Sequence, residues 1–188
     1  MKDYLESFYF SLAEEITPDA PDVRASGDKE FAVILGDGDT LSPSDIENIS
    51  KRTSLSPIFF AISRDVSLDI SRLYSRWLGA PLIIPRGLSE SVSAMRECNF
   101  TVCENSVGAL FSFISRTPAY LNSSSDGCRE IIAEFSGEGF LSSVFIPYTK
   151  GRTELIKRTT VDRGLYSAEI KKLRASICTK LLGILNKD

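Results

Sequence analysis

The amino-acid sequence predicts an α/β fold: a Rossmann-like parallel sheet flanked by helices and followed by a long C-terminal helix. Three observations predict it. Short apolar runs of strand length alternate with helical patterns over residues 30–150. Gly, Pro or small polar residues separate these runs. The strand runs are apolar throughout, as strands buried on both sheet faces require. At 188 residues the chain is expected to form a single domain. Its parts would be an N-terminal helix within residues 1–20, a sheet core over 30–150 and a C-terminal helical segment over 151–188.

Tyr4–Ile16 spaces Leu5, Phe8, Tyr9, Leu12 and Ile16 as an amphipathic helix, and Thr17–Lys29 reads as a linker. Phe31–Leu35 is the first strand, closed by Gly36. Ser42, Pro43 and Asp45 form a helix start, with a capping hydroxyl, a proline and an acid in the first turn. That helix runs to about Thr53. Pro57–Ile62 is the second strand. Leu68–Leu78 is a helix with Ile70, Leu73, Tyr74 and Trp77 expected on one face, ended by Gly79. Leu82–Ile84 is the third strand, Ser89–Glu97 a helix and Phe100–Cys103 the fourth strand. Val107–Ser115 is apolar on nearly every side and is expected to be buried. Pro118–Leu121 is the fifth strand, Cys128–Phe135 a helix and Val144–Ile146 a sixth strand. Ser167–Leu185 carries Ile170, Leu173, Ile177, Leu181 and Ile184 as one helical stripe.

Composition excludes several kinds of function. There is no histidine, so no Ser–His or Cys–His nucleophile pair and no imidazole base. The usual zinc ligands are missing for the same reason, and neither a cofactor nor a metal is expected. The net charge of −3 lacks the basic surplus that nucleic acid demands. The longest apolar runs, Pro57–Ile62 and Leu110–Ile114, fall far short of the roughly 20 residues of a membrane span. The N-terminus has no signal-peptide pattern, so the cytoplasm is the expected compartment. Cys98, Cys103, Cys128 and Cys178 show no C-x-x-C spacing and are expected to be free buried thiols.

In a parallel sheet, ligands bind beyond the carboxyl ends of the strands. Candidate ligand-binding residues follow from that rule. Gly36 and Asp37 open the Gly-Asp-Gly-Asp-Thr loop after the first strand. Its two glycines lack the third of a dinucleotide fingerprint. The loop also falls one residue short of the Asp-x-Asp-x-Thr spacing of haloacid-dehalogenase-type phosphatases. Glu104, Asn105 and Ser106 follow the fourth strand, where Asn or Ser would also serve as a helix cap. Ser123 and Ser124 precede a helix N-terminus, which suits a phosphate or carboxylate. Arg86 follows the third strand and would balance the charge of an anionic ligand, as would Arg64 after the second. Each of these has an ordinary alternative: a tight turn, a cap, a polar loop or a surface arginine.

The run from Glu97 to Leu121 adds a family resemblance. Counted back from Pro118 without a gap, Phe111 falls on a buried aromatic, and Asn105, Ser106 and Val107 fall on an Arg-Leu-His motif. With the helix and strand before it, this stretch from Asp65 onward resembles the C-terminal half of the polysaccharide pyruvyl transferase family, which implies a fold similar to one half of a GT-B arrangement. The C-terminal helix is also similar. The resemblance implies transfer of a pyruvyl ketal from phosphoenolpyruvate to a sugar, with phosphoenolpyruvate or a nucleotide sugar as ligand. The motif's Arg and His, and the Lys after the fifth strand, have no counterpart here. The resemblance therefore implies a degenerate or incomplete half-domain of surface-polysaccharide metabolism. Two other functions fit the residues: a module that pairs with itself or with a partner half-domain, and a small-ligand phosphate-binding enzyme such as a phosphatase.

Overall fold

The computed structural model describes residues 29–36, 41–61, 66–85, 88–135, 139–157 and 168. All but Ala168 belong to one compact unit, Arg24–Val161. The second unit, Met1–Val23 with Asp162–Asp188, lies outside the described residues apart from Ala168. So do the expected N-terminal helix, nearly all of the expected C-terminal helix, Asp37, Arg64, Arg86 and Cys178.

The described elements run β1 (Glu30–Ile34), α1 (Pro43–Thr53), β2 (Ser56–Phe60), α2 (Val66–Leu78), β3 (Leu82–Ile83) and α3 (Leu88–Arg96). They continue with β4 (Thr101–Cys103), α4 (Ser106–Ile114), β5 (Ala119–Asn122), α5 (Asp126–Phe135), α6 (Gly139–Val144) and β6 (Phe145–Tyr148). A 3-10 segment over Lys150–Leu155 follows, broken at Arg152. The six strands form one all-parallel sheet in the order β3-β2-β1-β4-β5-β6. This is the doubly wound Rossmann order.

Alternation along each strand sends side chains to two buried faces. Phe31, Val33, Leu35, Phe100, Val102, Tyr120 and Tyr148 share one cluster with Leu41, Ile46 and Ile49 around α1. Within it Phe31 stacks on Phe100 with centroids 5.1 Å apart, and Phe100 meets Tyr120 edge-on at 5.4 Å. Ile34, Thr101 and Cys103 face the other way, toward α4: Thr101 and Ser112 share a 2.7 Å hydrogen bond, and a Cβ on Gly108 would lie 2.8 Å from Ile34 Cγ2. A side chain at position 108 would push α4 off the sheet. Each large apolar side chain buried in these layers contributes about 1.5–3 kcal/mol.

Local chemistry sets the element ends. Ser42 caps α1 as one half of a capping box with Asp45, and Pro43 occupies the first turn. Gly79 ends α2 at φ +60°, in left-handed backbone. Arg52 donates to the carbonyls of Thr153, Glu154 and Ile156 and so fastens the 3-10 segment to α1. The Tyr120 hydroxyl accepts the Lys157 N–H at 3.0 Å and donates to the Lys157 carbonyl at 3.1 Å.

Two expectations change. On α2, Ile70, Tyr74 and Leu78 pack on the core, but Leu73 is 59% and Trp77 71% exposed. The buried stripe is centred on Ile70, Ser71, Tyr74 and Leu78, so at about 100° per residue Leu73 and Trp77 fall to one side of it. The neighbouring strand β3 has only two residues and ends the sheet, so among the described residues no further strand covers them. The sixth strand starts at Phe145 and not at Val144, which closes the short helix α6 that the apolar pattern concealed. Cys98, Cys103 and Cys128 are free and buried. Among the described residues, no helix is long and apolar enough to cross a membrane.

Candidate functional site

The sheet order reverses between β1 and β4: the chain winds outward from β1 through β2 to β3, then from β4 through β5 to β6. In doubly wound sheets, loops on opposite faces leave the carboxyl edge at that point, and ligands bind between them. Gly36 follows β1, and Glu104, Asn105 and Ser106 follow β4, so four of the candidate residues meet there. Ser123 and Ser124 follow β5, one strand away. Arg86 and Asp37 lie outside the described residues. The end of β3, which Arg86 follows, stands three strand spacings, about 14 Å, from the end of β4.

Glu104 is buried, 4% exposed. Its carboxylate accepts the Leu41 N–H at 2.7 Å and the Gly36 N–H at 3.4 Å. Its backbone carbonyl lies where a Cβ on Gly36 would be only 2.7 Å away, so a side chain at position 36 would separate the two loops. Asn105 joins the same loops a second time. Its amide donates to the Leu35 carbonyl at 3.0 Å, and its oxygen caps α4 by accepting the Gly108 N–H at 2.7 Å. Val107, on the resemblance's histidine position, is exposed, while Ala109, Phe111, Phe113 and Ile114 behind it are buried as expected.

Ser106 is half-buried against α5: a Cβ on Gly127 would come within 3.0 Å of its hydroxyl oxygen. Ser123 donates from both N–H and hydroxyl to the Tyr148 carbonyl, at 2.8 and 2.9 Å. The exposed Ser124 donates its N–H to Asn122 Oδ1 at 3.0 Å. These serines border the edge, and the helix starts beside them carry acids, Asp45 in α1 and Asp126 in α5.

Two residues absent from the candidate set belong beside Glu104. Register pairs Cys103 with Leu121 and Asn122 with Tyr148, which puts Glu104, Asn122 and Tyr148 at one level across β4, β5 and β6. Asn122 is 2% exposed. The Tyr148 hydroxyl is buried and, among the described residues, has no hydrogen-bond partner. Burial, reinforced by the negative charge of Glu104, holds its proton well above the usual tyrosine range. The sequence carried one usable signal for both, a polar or amphipathic residue at the last position of a strand, but β6 had to be bounded correctly to reveal it.

The thiols nearby are chemically quiet. Burial pushes Cys103 up to about 12, although hydrogen bonding with Ser112 and Thr101 acts in the opposite direction. Burial likewise pushes Cys128 up to about 11. Neither is a thiolate nucleophile near neutral pH.

Comparison with known proteins finds no matching family model, no matching curated protein and no matching solved structure.

Proposed function

We propose that this chain is a transferase-like half-domain of surface-polysaccharide metabolism, acting in the cytoplasm, that binds an uncharged saccharide and does not catalyse pyruvyl transfer. The observation that carries this reading is the Glu104 carboxylate seated on the Gly36 and Leu41 amides. Backbone amides at such a turn are the groups that would receive a ligand phosphate or carboxylate. Here an internal carboxylate already engages them, and a second anion beside it would meet like-charge repulsion in a low-dielectric setting. Asn105 and Val107, on the resemblance's Arg and His positions, are a helix cap and an aliphatic side chain. Neither supplies positive charge or a transferable proton. The hydroxyls of Ser106 and Ser124 at the rim suit the hydroxyl groups of a sugar, which donate and accept without charge.

Ligand-detected saturation-transfer NMR tests this with methyl glucoside, methyl galactoside, methyl mannoside and phosphoenolpyruvate. The expected result is transfer to at least one glycoside, weakened in the Ser106→Ala/Ser124→Ala double variant, and none to phosphoenolpyruvate. Transfer to phosphoenolpyruvate, a pyruvylated sugar product, or no transfer to any glycoside would overturn the proposal.

A further inference from the structure

The side of α2 turned away from the core presents Leu73 and Trp77 four residues apart, so they stack along one ridge of the helix. Trp77 is the chain's single tryptophan. Large apolar side chains exposed together on one element mark an interaction surface more often than scattered ones do. Charge identifies the partner. Asp69 lies one turn before Leu73, and Arg72 and Arg76 lie beside the ridge, all three exposed. Asp69 and Arg72 approach within 3.5 Å across solvent. The face is therefore acidic toward the start of the helix and basic toward its end.

A second α2 laid parallel would bring arginine against arginine. Laid antiparallel about a two-fold axis through Leu73, it brings Leu73 onto its mate and sets Trp77 against the opposing first turn. Position 77 then mirrors position 69. Arg76 lies one residue, about 1.5 Å of helix rise, from that mirror point. Asp69 of each copy thus faces Arg76 of the other, twice over. Such self-complementarity is what an isologous dimer requires.

We propose that the chain forms a two-fold homodimer through α2, with Leu73 and Trp77 at its centre and two Asp69–Arg76 pairs at its sides. The contact is one helix wide, below the area of a standard interface, so association is expected in the micromolar range. This inference is independent of the saccharide site and survives that site's failure.

Sedimentation velocity over a concentration series, read beside tryptophan emission, tests it on the full chain. Emission reports this face alone, because no other tryptophan is present. The expected result is a monomer at low concentration that becomes a dimer, with a matching blue shift of emission. Leu73→Glu should keep the circular dichroism spectrum and remain monomeric. Asp69→Arg and Arg76→Asp should each dimerise at least tenfold more weakly alone. Their equimolar mixture should recover association, since each mixed pair again joins unlike charges. A chain that stays monomeric throughout, a dimer that Leu73→Glu leaves intact, or single-charge variants whose mixture recovers nothing would each overturn the proposal.

Discussion

Glu104 accepts the Leu41 N–H at 2.7 Å, and through it the end of β4 holds the segment that leads into α1. The contact is buried, so its loss is felt as unsatisfied donors and not as a change in surface charge. Glu104→Ala should lower unfolding stability by about 2–4 kcal/mol, because two amides lose their acceptor. Glu104→Gln keeps an acceptor and should lose about half as much. Urea unfolding of both variants measures this, and equal losses would show that the hydrogen bonds do not decide the effect.

Gly36 and Gly79 should respond differently to alanine. A Cβ on Gly36 meets the Glu104 carbonyl oxygen at 2.7 Å, a backbone atom that cannot swing aside. Gly36→Ala should therefore cost about 2–3 kcal/mol through overpacking. Gly79 has nothing within 4 Å and only its positive φ to protect, so Gly79→Ala should cost about 1–2 kcal/mol. Thermal unfolding of the pair gives the order.

The two tyrosine hydroxyls make opposite predictions. Tyr120→Phe removes the partner of both backbone groups of Lys157 and should cost about 1–2 kcal/mol. Tyr148→Phe removes a buried hydroxyl that has no partner among the described residues. It should leave stability unchanged or raise it by about 1 kcal/mol, since a desolvated and unsatisfied group disappears. Denaturant midpoints at pH 7 distinguish them, and a Tyr148→Phe loss as large as that of Tyr120→Phe would contradict the assignment.

Alkali should weaken the fold. Burial raises Cys98 and Cys103 from 9.0 to about 12 and Cys128 from 9.0 to about 11. Above pH 9 the unfolded chain loses these protons while the folded chain keeps them. The unfolded state then binds fewer protons, so stability falls as pH rises. The loss begins near pH 9 and levels off past pH 11 to 12, with a slope of up to about 1.4 kcal/mol per pH unit for each thiol. Urea unfolding at pH 8 and pH 10 reads it, and Cys128→Ala should flatten the slope.

The sheet was legible because its signals are local. Apolar runs closed by Gly36 or Pro85 fixed the strands to within a residue or two, Gly79 marked the end of α2, and Ser42-Pro43-Ser44-Asp45 announced α1 outright. Gly36, Glu104, Asn105 and Ser106 were recoverable because a parallel sheet sends every strand end to the same edge. What remained hidden depends on tertiary placement. Nothing in the spacing of Ile70, Leu73, Tyr74 and Trp77 tells that the sheet stops at β3. Nor does a glutamate after a strand announce that its carboxylate turns inward to backbone amides 63 and 68 residues away. Tyr148 stayed hidden because the sixth strand had to be carried to its last residue before register could set that tyrosine beside Glu104.

The central joint of the sheet has a consequence for how the protein is made. Gly36 and Glu104 lie 68 residues apart in the chain, so β1 emerges from the ribosome long before β4. At about 5–20 residues per second of synthesis, that interval lasts several seconds. Until β4 emerges, the edge of β1 that β4 occupies in the folded sheet has no partner, a template for pairing with another nascent chain. Closure by β4 ends that exposure, and such long-range pairing is slow to form. Gly36 and Glu104 thus meet at the seam whose formation removes that open edge.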